Sequence, residues 1–335
     1  MAGGQGGPGA HTGGEDGGAA VGDPPRLRLP LPGAAPQLLP PAALPPVLPR
    51  HRRLLGTAAH ARISPVNFEN RDAFRFSDGV ARSALLFPQK AVILWTMDPA
   101  ERDANLVHGA LRRRGDGDHL AVLVEVACAS DPDHLVAVRR AYRSLFGCSV
   151  EEDLASCAAL QQPLRKMLVS LVSSYRYGGD RVDADVARLE ASQLSEAVRK
   201  KQPHHDEVVR ILGTRSKPQL RATLRRYRED HGTDIVEDID SRCSSQFART
   251  LRSAVWCLTS PEKHFAEMIR ESVVGLGTYE DMLTRVVVSR AEIDMKQIKE
   301  EYRARFKTTV TCDVVDDTSF GYKDILLALV GCEEE

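Results

Sequence analysis

The chain has no long apolar run and no excess of charge of one sign. Its most apolar stretch, Leu120 to Ala129, is interrupted by Glu125 and is shorter than the roughly 18–20 residues that a membrane-spanning helix requires. The 45 lysines and arginines and the 46 aspartates and glutamates leave a formal net charge of −1, and the two signs are interleaved. We therefore expect no membrane span and no nucleic-acid partner.

The cysteines form no disulfide or metal framework. Seven is an odd number, and they are dispersed along a long chain without CxxC spacing, which is typical of reduced thiols in a cytosolic protein. We therefore expect a cytoplasmic location. Cys128 and Cys257 have apolar neighbours, which favours buried core residues over reactive thiols.

Catalytic motifs and strand signals are also scarce. No GxxxxGK[ST] loop occurs, and no serine or cysteine nucleophile has a partner at a defined spacing. We therefore expect no enzymatic activity. Apolar residues instead recur at three- and four-residue spacing over most of the chain, which predicts an all-α fold.

The first sixty residues differ in composition from the rest. Glycine dominates up to about Gly22, and proline is frequent from Asp23 to Arg50. With so little apolar periodicity, the segment cannot bury enough apolar surface to offset the conformational entropy that it would lose on folding. We expect residues 1–62 to be a disordered tail.

An internal repeat occurs further along the chain. A leucine or methionine precedes a tyrosine by seven positions three times, and the successive offsets are 85 and 75 residues. The three pairs are Leu135–Tyr142, Leu220–Tyr227 and Met295–Tyr302. In the last unit the apolar spacing predicts five helices. They are predicted at about 262–274, 279–289, 292–306, 309–315 and 319–331.

A glycine-containing turn lies between the first two of these helices. Gly275 and Gly277 allow the backbone to fold back, so that carbonyl oxygens point outward. Ca²⁺ takes six to eight oxygen ligands from carbonyls, carboxylates and water. The carbonyls of Val273, Gly275 and Gly277, with a bidentate Asp317 that follows Thr278 by 39 positions, would leave coordination positions open for water or a lipid phosphate.

A Gly-x-Gly-Thr turn followed by an acid about 39 positions later resembles the membrane-facing calcium site of the annexin repeat. The surrounding segments VVSRAEID, IKEEY, DTS and LLAL are similar to the last repeat of plant annexins. The resemblance implies an array of five-helix repeats, with three clear repeats after a truncated first one. The expected domains are the tail 1–62, a remnant of repeat 1 at 63–104, repeat 2 at 105–177, a linker and repeat 3 at 178–260, and repeat 4 at 261–332.

The first repeat departs from the family pattern. Nothing between His51 and Ser77 matches the expected glycine turn, and the similarity becomes clear only from Met97 onward. We expect that repeat to be reduced to its closing helices. A wrongly assigned 5′ end of the gene would produce the same pattern.

The resemblance implies reversible, calcium-dependent binding to anionic phospholipid membranes, with the protein peripheral on the surface and one intact site in repeat 4. The matching loop of repeat 2 contains Gly115 and Gly117 but has Ser156 at the position of Asp317, so the carboxylate is missing. The loop of repeat 3 lacks the glycine turn, although Asp240 stands near the position of Asp317. Both loops are basic, and each charge near an anionic leaflet contributes about 1 kcal/mol. Their candidate membrane-binding residues are Arg112, Arg113, Arg114, Arg199, Lys200 and Lys201. Basic loops that are merely solvated are the alternative.

The resemblance also assigns interior residues. Glu125 and Arg290 match residues that pair across the central hydrophilic channel of annexins, and Cys128 and Cys257 match cysteines for which redox roles have been proposed in plant members. Residues 209–211 resemble a segment linked to actin binding, although the same residues suit a helix core. The alternative function is therefore a calcium-independent membrane or actin scaffold. Self-association on membranes would help a chain with one site, because linked sites raise avidity.

Overall fold

The computed structural model describes residues 79–113, 120–158, 160–173, 175–275, 277–318 and 321–331, with side chains from residue 87 onward. Every regular element in these ranges is a helix, so the all-α prediction is confirmed. The predicted tail, residues 1–62, lies outside the described ranges, as does Arg114. None of the described helices combines the length and apolar character that crossing a bilayer requires.

Sixteen α-helices follow one another along the described residues. They are α1 (Gly79–Thr96), α2 (Pro99–Arg112), α3 (Leu120–Val124), α4 (Pro132–Phe146), α5 (Val150–Ser156), α6 (Gln162–Ser173), α7 (Ala184–Arg199), α8 (Asp206–Thr214), α9 (Lys217–His231), α10 (Ile235–Arg242), α11 (Gln246–Thr259), α12 (Pro261–Val273), α13 (Glu280–Arg290), α14 (Met295–Phe306), α15 (Val310–Asp317) and α16 (Tyr322–Val330). A single π-helical turn, Glu125–Ala129, continues α3.

The helices divide into three units of five, α2–α6, α7–α11 and α12–α16, preceded by α1. The five helices predicted for the last unit begin and end within three residues of the observed ones. The boundary predicted after residue 104 falls inside α2, so we place the start of the second unit at Pro99. Helix α1 packs on α13 and α16 of the last unit, and α11 packs on α12.

The tyrosine of each unit is buried and bonded to an acid eleven positions later. The tyrosine hydroxyl, in the third helix of the unit, donates to an aspartate in the fourth helix and so ties the two helices together. The pairs are Tyr142–Asp153 at 2.5 Å, Tyr227–Asp238 at 2.7 Å, and Tyr302–Asp313. The tyrosine spacing is visible in the sequence, whereas its acid partner was not predicted.

The residue that follows the third helix of each unit, five positions after that tyrosine, has a left-handed backbone conformation. Gly147 and Gly232 have φ of 75° and 72°, and Lys307 has φ of 60° at the equivalent position. Glycine adopts this conformation without a steric penalty, whereas a residue with a Cβ atom is strained. The Lys307 Nζ donates to the carbonyl oxygen of Ala304 at 2.8 Å, which satisfies one of the helix-terminal carbonyls.

We expect Lys307→Gly to stabilise the protein by up to about 1 kcal/mol, because a left-handed backbone disfavours any side chain by about 1–2 kcal/mol. Urea unfolding followed by circular dichroism measures the change. The matched variant is Gly232→Ala, at φ 72° with open space around the added Cβ, and it should destabilise by about 1 kcal/mol. Equal stability of Lys307→Gly and the parent chain would show that the lysine contact offsets the strain.

Candidate metal centre and buried polar contacts

The glycine turn predicted to bind a cation lies between α12 and α13. Gly275 and Gly277 have φ of 138° and 95°, which residues with a side chain rarely adopt. The N–H of Tyr279 donates to the carbonyl oxygen of Ser272 at 2.8 Å and closes the turn at its base. Val274 is 50% exposed and Tyr279 is 64% exposed. The turn is therefore held at its base and faces solvent with apolar side chains.

Asp317 ends α15 beside this turn. The Thr278 hydroxyl donates to the Asp317 carbonyl oxygen at 2.7 Å, which ties the turn to the end of α15. The carboxylate oxygen Oδ2 of Asp317 is buried and has no hydrogen-bond donor in the described part of the chain. A buried charged oxygen is unfavourable without a partner, and a cation would supply one.

The oxygen donors predicted at this turn suit a hard cation. The predicted ligands are the carboxylate of Asp317 and the main-chain carbonyls of Val273, Gly275 and Gly277, and Ca²⁺ prefers such oxygen ligands. Within the described ranges, no group of three or more His, Cys, Asp or Glu side chains could hold a metal ion. The main chain would therefore supply most of the protein ligands, as the sequence predicts.

The tyrosine-bonded aspartates define the equivalent positions in the other two units. Asp317 lies four residues after Asp313, and Cys157 and Arg242 lie four residues after the corresponding aspartates. The Arg242 Nε lies 3.6 Å from Asp238 Oδ1, so this position carries a paired cation in the third unit. Neither unit has a carboxylate where the last unit has Asp317.

Ser156 was predicted at this position and Asp240 near it, and the structure places them one and two residues before it. Ser156 lies one residue before Cys157, and Asp240 lies two residues before Arg242. The Asp240 carboxylate is instead 3.3 Å from the guanidinium of Arg252. The spacing of eleven from tyrosine to aspartate recurs in the sequence, but only the hydrogen bonds show that these residues mark equivalent positions.

Two of the predicted membrane-binding arginines lie at the end of α2. The side chain of Arg112 is 59% exposed, and its Nη2 lies 4.0 Å from the Asp153 carboxylate. The side chain of Arg113 is 51% exposed, and its Nη2 donates to Asp281 Oδ2, in the first turn of α13, at 2.8 Å. Both guanidinium groups are therefore accessible to solvent, although that of Arg113 already forms an ion pair with an aspartate of the last unit.

The basic residues of the third unit lie at the end of α7. Arg199, Lys200 and Lys201 are all exposed. The Lys200 Nζ lies 2.7 Å from Glu196 Oε1, four residues earlier on the same helix. An exposed pair of this kind contributes little to stability, so the lysine charge remains available to solvent.

Glu125 is buried between the second and the last units. Arg285 of α13 donates to Glu125 Oε2, and the ring nitrogen Nε2 of His264 lies 3.2 Å from Oε1. Arg290, the predicted partner, instead bonds Asp294, with 2.6 Å between Nη2 and Oδ2. The predicted pairing is therefore wrong. Five residues turn an α-helix by about 500°, so Arg285 and Arg290 point in different directions from α13.

The environment of Glu125 changes its titration. Burial alone would raise the pKa of its carboxyl, but the charge of Arg285 and the hydrogen bond with His264 outweigh burial and hold the pKa below its usual value. Sequence reasoning missed both partners. The signal for Arg285 was an arginine followed directly by three valines in an otherwise apolar run.

Cys128 and Cys257 are fully buried free thiols. Burial raises the pKa of Cys128 to about 11, although Arg176 and Lys217 lie nearby and favour the thiolate. Burial also raises the pKa of Cys257 well above its usual value. Both thiols are therefore protonated at neutral pH, which opposes the reactivity that a redox role requires.

We expect iodoacetamide to label Cys312, which is exposed, at least about tenfold faster than Cys128 or Cys257 in the native protein at pH 7.5, because only accessible thiolates react. Mass spectrometry of timed digests gives the rate for each cysteine. In urea the three rates should converge. Native-state labelling of Cys128 as fast as that of Cys312 would restore the redox assignment.

The annexin family model matches residues 189–254 and 264–329. The chain is 46% identical over 246 residues to Annexin D3 of Arabidopsis thaliana, which covers 72% of this chain and 76% of that protein. It is 43% identical over 246 residues to the annexin-like protein RJ4 of Fragaria ananassa, and the match covers 73% of this chain and 77% of that protein.

Solved structures show the same fold. Chicken annexin V superposes with a TM-score of 0.66 at 28% identity, covering 73% of this chain and 77% of that one. Annexin III superposes with a TM-score of 0.67 at 26% identity, covering 74% of this chain and 76% of that one.

Proposed function

The chain belongs to the annexin family, and from that premise we propose that it binds anionic phospholipid surfaces reversibly through one calcium site in its last repeat. Calcium binding is a property of the family, whose members are generally phospholipid-binding proteins and not classical enzymes. The plant type inferred from the last repeat agrees with the relatives. A cytoplasmic location and the lack of catalysis in this chain stay predictions.

The partnerless carboxylate oxygen of Asp317 beside a solvent-facing carbonyl turn is the observation that supports this site most directly. Calcium would join the turn to the carboxylate and leave positions for the phosphate oxygens of a lipid. Val274 and Tyr279 are exposed in the same turn. Apolar and aromatic side chains are favourable at the boundary between headgroups and acyl chains, so they would add to the membrane contact.

A single site limits the strength of binding. Linked sites raise avidity by roughly 10²–10⁴ over one site, and Cys157 and Arg242 stand where the other two clear repeats would need a carboxylate. We expect weak binding that requires high calcium. Self-association on the membrane would restore part of the avidity.

Vesicle sedimentation tests the proposal. The full chain is mixed with phosphatidylcholine vesicles that contain either one quarter phosphatidylserine or none, over a range of calcium concentrations and with chelator. We expect sedimentation only with the anionic vesicles and calcium, and release when chelator is added. Equal sedimentation with chelator and with calcium would exclude calcium-dependent binding and favour the scaffold.

The alternative, an actin or membrane scaffold, has less support. Val209 and Ile211 of the actin-like segment are buried, so their side chains belong to the core. Between them, the Arg210 Nε donates to Glu207 Oε2 at 2.8 Å. An actin partner would therefore meet little of the segment that suggested it.

A further inference from the structure

The second repeat has a cleft at the place where the last repeat has its glycine turn and Asp317. The end of α2 and the end of α5 enclose a cavity of about 300 Å³. Leu111, Arg112 and Arg113 line it from α2, and Asp153, Ser156 and Cys157 line it from α5. The corresponding elements of the last repeat, α12 and α15, carry the candidate calcium ligands.

The charge of this cleft is opposite to that of the calcium site. Cys157 stands at the position of Asp317, so the carboxylate that would complete a cation site is missing. The remaining acid, Asp153, already accepts the hydroxyl hydrogen of Tyr142 at 2.5 Å. Among the described residues around the cleft, the three cations Arg112, Arg113 and Lys90 accompany the two carboxylates of Asp153 and Asp281, which leaves a net positive charge beside the exposed arginines.

Arg113 can bind a ligand without leaving its acid partner uncompensated. Its present partner, Asp281, is also bonded by Lys90 of α1. When Arg113 turns towards an anion in the cleft, Lys90 still neutralises Asp281. Among the described residues, the carboxylate oxygen paired with Arg112 is 4.0 Å away, on Asp153, so Arg112 gives up only a long contact there.

We propose that the cleft between α2 and α5 binds a phosphate group directly, without calcium, through Arg112 and Arg113. The planar guanidinium fork matches phosphate oxygens and forms two parallel hydrogen bonds. A lipid phosphate and a free phosphate share this chemistry. The lipid source rests on the proposed function, since it requires that this face of the protein meets a membrane.

The test uses the full chain carrying Asp317→Ala, in chelator and at low ionic strength, so that the calcium site makes no contribution. Its binding to vesicles of phosphatidylcholine with one quarter phosphatidic acid is measured by sedimentation. Adding Arg112→Gln and Arg113→Gln should weaken binding about tenfold, since each basic residue near an anionic surface contributes a factor of several. The matched control is Arg140→Gln with Arg143→Gln, which removes the same charge from exposed positions of α4 in the same repeat that do not line the cleft, and it should change binding less than twofold.

A second variant and a second probe complete the test. Arg112→Gln alone leaves the Arg113–Asp281 contact intact and should still weaken binding about threefold. Thermal melting with 20 mM inorganic phosphate shows whether the cleft also binds the free anion. A rise in Tm that Arg112→Gln abolishes identifies free phosphate as a ligand. Vesicle binding without that rise identifies the lipid as the ligand. Equal losses for the two double variants, or no effect in either assay, would overturn the proposal. Failure of the proposed function would instead show in the calcium titration of the chain with Asp317 intact.

Discussion

The Asp317→Ala variant should need about a hundredfold more calcium than the parent chain for half-maximal binding to anionic vesicles. Loss of a residue that only supports a metal ligand typically reduces affinity by about 10–100-fold, and a carboxylate that binds the ion contributes at least as much. The remaining protein ligands would be neutral carbonyls of the turn. Sedimentation with phosphatidylserine-containing vesicles over a calcium series measures the shift.

Asp316 provides a matched control for Asp317. It is the preceding residue of α15 and is exposed, so Asp316→Ala removes the same charge from the same helix without touching the proposed site. We expect its calcium requirement to change less than threefold, by electrostatics alone. Equal shifts for the two variants would mean that Asp317 acts only through its charge and does not bind the ion. Thermal melting in chelator checks that both variants are folded.

Glu125→Gln should destabilise the protein by about 3 kcal/mol, because it leaves the buried guanidinium of Arg285 without a carboxylate. Urea unfolding measures the change. Double-mutant cycles then separate the two arginines of α13. Coupling of Glu125 with Arg285 should exceed about 1.5 kcal/mol, whereas coupling with Arg290, which bonds Asp294, should be below about 0.5 kcal/mol. The reverse order would restore the pairing inferred from the sequence.

The same carboxylate should make stability depend on pH on the acid side. The folded-state pKa of Glu125 is lowered from the usual 4.5, so its ionised form stabilises the fold above pH 4.5. That contribution is lost as the pH falls from 4.5 through the lower folded-state pKa. The decline in stability below pH 4.5 should therefore be shallower in Glu125→Gln. The same decline in stability below pH 4.5 in the variant and the parent chain would show that other carboxylates cause it.

The helices could be predicted because their determinants are local. Apolar spacing located α12 to α16 within three residues, and the repeated tyrosine spacing located the units. The candidate calcium turn was likewise found from Gly275 and Gly277, whose positive φ angles follow from the residue type itself. The buried partners were not predictable in this way. His264 and Glu125 are 139 residues apart, and no local pattern records such a contact.

By itself, the sequence determined the all-α architecture and the three five-helix units, and it predicted the oxygen donors of the turn, because helix period, turn chemistry and ligand type are properties of short segments. Only the tertiary structure decided that Arg285 and not Arg290 meets Glu125, and that Cys157 and Arg242 replace Asp317 in the other repeats. It also placed Arg112 and Arg113 over a cleft. These outcomes depend on which face of a helix meets another repeat, and that is set by packing between segments far apart in the chain.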